Sequence, residues 1–278
     1  MLILLPPSET KRDGGEGPAL NLAALSLSAV VNSTRKKVIA ALVALARHPT
    51  ESAKVLKLSP KQVFEVERNR VLQSSPTMPA IDRYTGVLFE GLGAATLPYA
   101  SRSFLGSHVL IQSALLGPVG ALDLIPAYRL SFDSRLPKLD GIPLKKVWAT
   151  TAGKALIEAI LSNGHSGGHL VLDLRSEGYA DLAPLHAGDN MFYVRVVTRG
   201  TDGVVRALNH FNKKGKGEFL RALAIDAAVT ETIDSLDELL AWATSAGITL
   251  ELGASAVAGA GSAPGKPAEL NLVVSGML

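Results

Sequence analysis

Several short aliphatic runs in this chain break off abruptly into loops of prolines, glycines and hydroxyl residues. Met1–Leu5 (MLILL) runs into Pro6-Pro7-Ser8, and Leu170–Leu174 (LVLDL) runs into Arg175-Ser176-Glu177-Gly178-Tyr179. A run this short and apolar on both faces fits a strand covered on both sides. His108–Gln112, Tyr128–Phe132, Phe192–Val197, Thr249–Leu252 and Leu270–Val274 read as further strands. Helical spacing fills the intervals. Residues 20–47 give one or two helices with a break near Asn32–Ser33, and Lys61–Leu72 follows a Ser59-Pro60 start. Leu144–Leu161, Leu208–Ala228 (with Gly215 and Gly217 weakening its start) and Ser235–Ser245 complete the set, Ser235 and Glu238 forming a capping-box pattern. Residues 74–107 read as turns and short apolar pieces, and the Gly/Ala-rich 253–267 segment as a loop. Strand–helix alternation from end to end predicts an α/β fold: a single compact domain, 1–278, with a mixed sheet surrounded by helices.

With 278 residues and 47% hydrophobic composition, the chain builds a core without crosslinks. The absence of cysteine excludes disulfides, thiolate metal sites and a cysteine nucleophile. Pro6, Pro7, Glu9 and Lys11 interrupt the apolar start too soon for an export signal, and no steadily apolar run is long enough for a spanning helix. A cytoplasmic setting without membrane contact is expected.

Three motifs fail on context. Gly164-His165-Ser166-Gly167-Gly168 matches a serine-hydrolase elbow in letters, but helix precedes it and strand follows, the reverse of what the elbow needs. The segment Ala260–Lys266 approaches a phosphate loop, but Pro267 stands where a hydroxyl residue must bind Mg²⁺. Gly91-Leu92-Gly93 lacks a third glycine and a preceding strand. The histidines, including His165 and His169, form no metal-binding pattern, and neither metal nor cofactor is expected.

Charge is more informative. Overall the chain carries only +3, but residues 195–221 hold seven Lys/Arg against two Asp/Glu, a net of +5. Residues 222–252 hold six acids and no Lys or Arg. Lys213, Lys214, Lys216 and Arg221 thus form a patch able to meet a polyanion, or a solvated basic turn balanced by the acidic stretch behind it. Polar groups also gather where strands end, the usual ligand edge of an open α/β sheet. Asp123, Tyr128 and Arg129 form one group, Arg175, Ser176 and Glu177 another, and Ser8, Thr10 and Lys11 a third. Each has a plainer structural reading: an Asp–Arg ion pair stitching a loop, Ser176 as helix cap with Glu177 in the first turn, and capping by Ser8 or Thr10.

Four blocks occur in order: MLILLPPSETK, Ala114-Leu115-Leu116-Gly117 through Asp123-Leu-Ile-Pro-Ala-Tyr128-Arg129-Leu, DLRSEGY, and KKGKGEFLRAL. Together they resemble the bacterial peroxide stress protein YaaA family, from Met1 to about Gly247. Leu116 stands where that family often has an aromatic residue, and Gly120-Ala121 where it usually has Arg-Pro. The resemblance implies one α/β domain and a cytoplasmic role limiting oxidative damage when peroxide and iron are present. It also implies DNA binding through a basic cleft and a helix–hairpin–helix-like element near residues 40–70, although the usual glycine-rich hairpin is missing.

Two functions are therefore expected. In the first, Ser8, Lys11, Tyr128, Arg129, Arg175, Ser176, Lys213, Lys214, Lys216 and Arg221 bind duplex or structured DNA, the scarcity of aromatics disfavouring single strands. In the second, an enzyme acts on a nucleotide or damaged base, with Asp123 or Glu177 moving a proton. Direct iron binding by carboxylates has no supporting ligand pattern.

Overall fold

The computed structural model describes residues 1–162, 170–186, 188, 190–199, 205–207, 211–227, 233–253 and 266–274. Its strands are β1 (Leu2–Leu5), β2 (Met78–Pro79), β3 (Val109–Ser113), β4 (Gly117–Gly120), β5 (Leu124–Ile125), β6 (Val171–Asp173), β7 (Met191–Arg199), β8 (Val205–Ala207), β9 (Thr249–Leu252) and β10 (Ala268–Val273). The helices are α1 (Ser28–Leu45), α2 (Pro49–Val55), α3 (Glu65–Arg70), α4 (Ala80–Arg83), α5 (Val87–Leu92), α6 (Tyr99–His108), α7 (Leu144–Ser162), α8 (Glu177–Ala180), α9 (Phe211–Asp226) and α10 (Leu236–Ser245). The main sheet has the order β4-β3-β1-β6-β7-β10-β9, with β8 paired to β7, while β2 and β5 form a separate ribbon. Strands β3, β1, β6, β7 and β10 run parallel, and β4, β9 and β8 antiparallel, so the mixed α/β reading holds.

Strand β1 is buried along its whole length, as its unbroken aliphatic run demands. It also marks where the strand order reverses: β3 lies on one side and β6 on the other. At such a switch point the loops leaving adjacent parallel strands diverge and open a crevice.

Several local expectations fail for identifiable reasons. Helix α1 passes through Asn32–Ser33 without a break. Asn32 sends its side chain to the Leu22 carbonyl and to Arg35, so it does not compete for the helix backbone. Tyr128–Phe132 is not a strand. There the Asn69 carboxamide accepts from Arg129 N at 2.8 Å and donates to Arg129 O at 2.9 Å, replacing a ladder neighbour. Gly117 and Pro118 belong to β4, an edge strand where proline is tolerated. Helix α6, which buries only Ser101 and Leu105, lay in a region read as turns because its apolar face is too thin to show periodicity. The Ser235–Glu238 capping box is present in both directions. The Gly164–Gly168 motif, His165, His169, His210 and residues 254–265 fall outside the described residues.

Gly215 and Gly217 do not weaken α9; they let it lie against its neighbours. A Cβ on Gly217 would land on the Leu88 carbonyl of α5, well inside van der Waals contact, whereas one on Gly215 would meet the side chain of Val274 at 3.1 Å. Gly217→Ala is therefore expected to destabilise the fold by about 2–4 kcal/mol, a backbone overlap that a side-chain shift cannot relieve. Gly215→Ala should change it by less than about 1 kcal/mol, since Val274 can yield and alanine favours helix. Urea unfolding midpoints of the two variants provide the comparison.

Candidate functional site

The loop after β1 turns at Pro6-Pro7 and comes back, so that Lys11 bridges Tyr84 and Thr10 O accepts from Thr85 N. This return carries the Lys11 side chain beneath the protein surface, where only 6% of it is exposed. Its Nζ donates to Ser8 O at 3.0 Å and Glu9 O at 3.3 Å and lies 4.1 Å from the centre of the Tyr128 ring. Burial pushes the ammonium down to about 7; Glu9 opposes the shift and Arg129 adds to it.

Behind Lys11 runs a chain of hydroxyls. Tyr84 and Tyr128 oxygens are 2.8 Å apart, and Tyr128 lies 2.7 Å from Ser113 Oγ at the end of β3. Ser113 Oγ already accepts from Leu115 N and Leu116 N, which occupies both its lone pairs. Its own proton must then go to Tyr128, and Tyr128's to Tyr84. Burial raises both phenols, Tyr84 to about 12, so they stay neutral donors.

The solvent side of the cluster is closed by Glu9. Tyr179, from α8, donates to Glu9 Oε1 at 3.1 Å, and Arg129 Nη1 lies 3.1 Å from Oε2. Oε2 is buried and accepts no hydrogen bond from any described residue, because Arg129 Nη1 is aimed at the Glu9 carbonyl. Phe132 packs edge-on against Tyr179, with ring centres 5.1 Å apart. The Glu9–Tyr179 bond ties the loop after β1 to the loop after β6, across the switch point.

On the β6 side, Asp173 and Arg175 pair through two parallel bonds of 2.8 and 2.7 Å, and Arg175 Nη1 donates to Ala183 O. Lys216 is buried against the same loop, with Nζ 2.9 Å from Leu174 O, and burial brings it down to about 8. Arg195 pairs with Glu269 at 2.7 Å and approaches the exposed Glu177 carboxylate at 3.9 Å.

The structure thus gathers Ser8, Lys11, Tyr128 and Arg129 on one side of the crevice, and Arg175, Ser176, Glu177 and Lys216 on the other. It leaves Asp123 out. That carboxylate accepts from Ser26 N, Ser26 Oγ and Gly120 N, and Gly120 pairs with Leu110. Leu110 precedes Ser113 by three residues, so Asp123 serves a turn about 10 Å down the strand from the cluster. Arg175 is fully buried and turns its guanidinium inward, and Arg221 directs Nη1 to the Leu92 and Gly93 carbonyls at the end of α5. Arg175 is taken up by Asp173 and the Ala183 carbonyl, and Arg221 by backbone carbonyls, rather than facing a ligand. Lys213 and Lys214 stay exposed, Lys214 beside Glu218 at 3.3 Å.

Glu9, Tyr84, Ser113 and Asn69 were not singled out from the sequence. Glu9 was visible only as a letter in PPSETK, and Tyr84 carried no signal at all. Among the described residues no cluster of three or more His, Asp or Glu could hold a metal ion, and no helix is long and apolar enough to cross a membrane.

A family model described as peroxide stress protein YaaA matches residues 1–247. The chain belongs to the peroxide stress protein YaaA family. A UPF0246 protein of Corynebacterium glutamicum (strain R) is 40% identical over 90% of this chain and 95% of its own length. One of Streptomyces coelicolor is 35% identical over 99% and 98% respectively. In this YaaA-family chain Leu116 is completely buried, its carbonyl accepting from Arg35, so this position packs the core rather than facing the crevice. Gly120 has no room for a side chain, since a Cβ would meet Ser26 Oγ at 2.7 Å. Residues 40–70 hold the end of α1, then α2, a 3-10 turn at Pro60–Gln62 and α3, and just after α2 Lys57 adopts the left-handed conformation (φ 53°) that glycine takes without strain.

Because Lys11 falls from 10.5 to about 7 on folding, the unfolded chain binds the extra proton between those values. The lysine therefore opposes folding fully below pH 7, and this penalty fades as pH rises toward 10.5. Lys11→Met is expected to unfold at higher denaturant at pH 6, by about 2–4 kcal/mol after loss of the two hydrogen bonds, with the advantage shrinking at alkaline pH. Denaturation curves at pH 6, 8 and 10 test this.

Proposed function

We propose that the protein acts in peroxide stress by binding DNA in the cytoplasm, across the crevice at the ends of β1, β6 and β7. The observation carrying this reading is that Lys213 and Lys214 stay open at the start of α9, while Lys216 on the same helix reaches the loop after β6. A phosphate held by the two open ammonium groups would sit beside the polar crevice, and Arg195, one-third exposed in its side chain, extends the positive rim. The exposed Lys61, in the 3-10 turn between α2 and α3, offers a second backbone contact.

The cluster around Lys11 favours a second reading, an enzyme acting on a nucleotide or damaged base. A buried amine, a chain of neutral phenols and a carboxylate oxygen beside Arg129 that accepts no hydrogen bond among the described residues exceed what phosphate binding requires.

Four phosphate contacts, from Lys213, Lys214, Arg195 and Lys61, correspond to a slope of about −3.6 in log K against log salt for duplex DNA. The Lys213→Ala/Lys214→Ala double variant should bind more weakly and reduce the slope to about −1.8. Fluorescence anisotropy with a labelled duplex between 50 and 200 mM salt measures both (on the order of conditions where such slopes are read). Equal affinity and slope in the two proteins would refute the DNA assignment.

A further inference from the structure

Lys11 is a buried cation that no carboxylate ion-pairs among the described residues. Its ammonium rests on two backbone carbonyls and a tyrosine ring. Arg175, buried nearby, is held by a bidentate carboxylate, and Arg35 by four oxygens, three of them backbone carbonyls. Lys11 is thus held more weakly than the buried arginines, as is Lys216 with its one carbonyl and the Tyr193 ring, and loss of the Lys11 proton leaves a nucleophilic amine without breaking an ion pair. Two proton-handling groups flank it. Glu9 Oε2 is a buried carboxylate oxygen with no hydrogen-bond donor among the described residues, on a side chain 40% exposed. The Ser113–Tyr128–Tyr84 chain delivers its last proton at Tyr84, whose ring centre is 5.3 Å from Lys11 Nζ.

We propose that Lys11 is a catalytic amine that condenses with an aldehyde carried by the ligand, forming an imine. The Nζ lone pair forms a bond to the carbonyl carbon, and the carbonyl oxygen takes a proton from the tyrosine chain. Glu9 removes one proton from the nitrogen and returns it to the hydroxyl, which leaves as water, and the second nitrogen proton goes back to the tyrosine that gave up its own. The products are one imine and one water, with no oxidant or reductant consumed. This deepens the enzymatic reading of the crevice and does not depend on DNA binding. An aldehyde could be borne by a base-free deoxyribose in DNA or by a free sugar phosphate, and the two share this chemistry.

The groups facing Lys11 are Glu9 and Glu65, which favour its charge, Arg129 and Arg68, which oppose it, and the neutral Tyr84 and Tyr128. With burial dominant, the amine is half deprotonated near pH 7. An exposed lysine, with its ordinary value of about 10.4, is almost wholly protonated there.

The test is reductive trapping with cyanoborohydride on the full chain, using deoxyribose 5-phosphate in one arm and a duplex with a single abasic site in the other. Intact mass and peptide mapping should find one adduct per chain, on Lys11, with either probe or both; the reactive probe identifies the source of the aldehyde. Trapping should rise about tenfold from pH 6 to 8 and then level off, whereas an exposed lysine would keep climbing about tenfold per pH unit. Lys11→Arg and Lys11→Met should lose at least about 20-fold, while Lys36→Met and Lys138→Met, exposed and away from the site, keep the adduct. Mapping on the unaltered chain decides the matter even if a Lys11 variant fails to fold. No adduct with either probe, or an adduct on Lys216 or spread over exposed lysines, overturns the proposal. Binding of the intact duplex in the same samples reports separately on the DNA reading: an adduct without binding sinks only that reading, and binding without an adduct sinks only this one.

Discussion

Strand β1 lies between β3 and β6 with no exposed face, and that confinement governs the rest of the site. A strand paired on both edges can release its chain only at its end, and Pro6-Pro7 make that exit abrupt. The loop must then double back over the sheet edge, which places Glu9 against Tyr179 from the next parallel strand's loop and Lys11 against Tyr128 and Tyr84. The crevice is therefore a consequence of strand order, and its polar lining a consequence of where the backbone is forced to turn.

Buried cations hold this architecture together in an unusual way. Arg83 donates to the carbonyls of Ile125, Arg12, Gly14 and Pro76, and Arg35 joins α1 to the β3–β4 hairpin through the Leu116 and Pro118 carbonyls. Irregular loops leave carbonyls without ladder partners, and a guanidinium with five donors can satisfy several at once. Arg221 works in the same manner on the Leu92 and Gly93 carbonyls, while Arg175 and Lys216 each reach a single carbonyl. Several basic residues near loops are thus internal braces, while others, Lys213 and Lys214 among them, stay exposed.

Lys11 differs from the buried arginines because fewer oxygens compensate its desolvation. Two carbonyls and a ring face stabilise an ammonium less than a bidentate carboxylate does, so the group sits near its neutral form. A protein that keeps so poorly paired a cation gives up stability at that position, a pattern expected where chemistry requires the group.

The sequence by itself determined the α/β alternation, the family, and most of the long elements, since hydrophobic period and capping are local properties. It also singled out the loops after β1 and β6, because an aliphatic run that stops at prolines or a polar turn announces a strand end. It could not show that Asp123 faces a turn at the far end of β3, that Asn69 would take the place of a strand beside Arg129, or that Gly217 is a contact rather than a breaker. Nor could it separate the buried Lys216 from the exposed Lys213 and Lys214 a few residues away. Only the tertiary structure decided those, because which lysine is desolvated and which glycine meets a neighbour depend on surfaces brought together from distant parts of the chain, and no spacing along one segment encodes them.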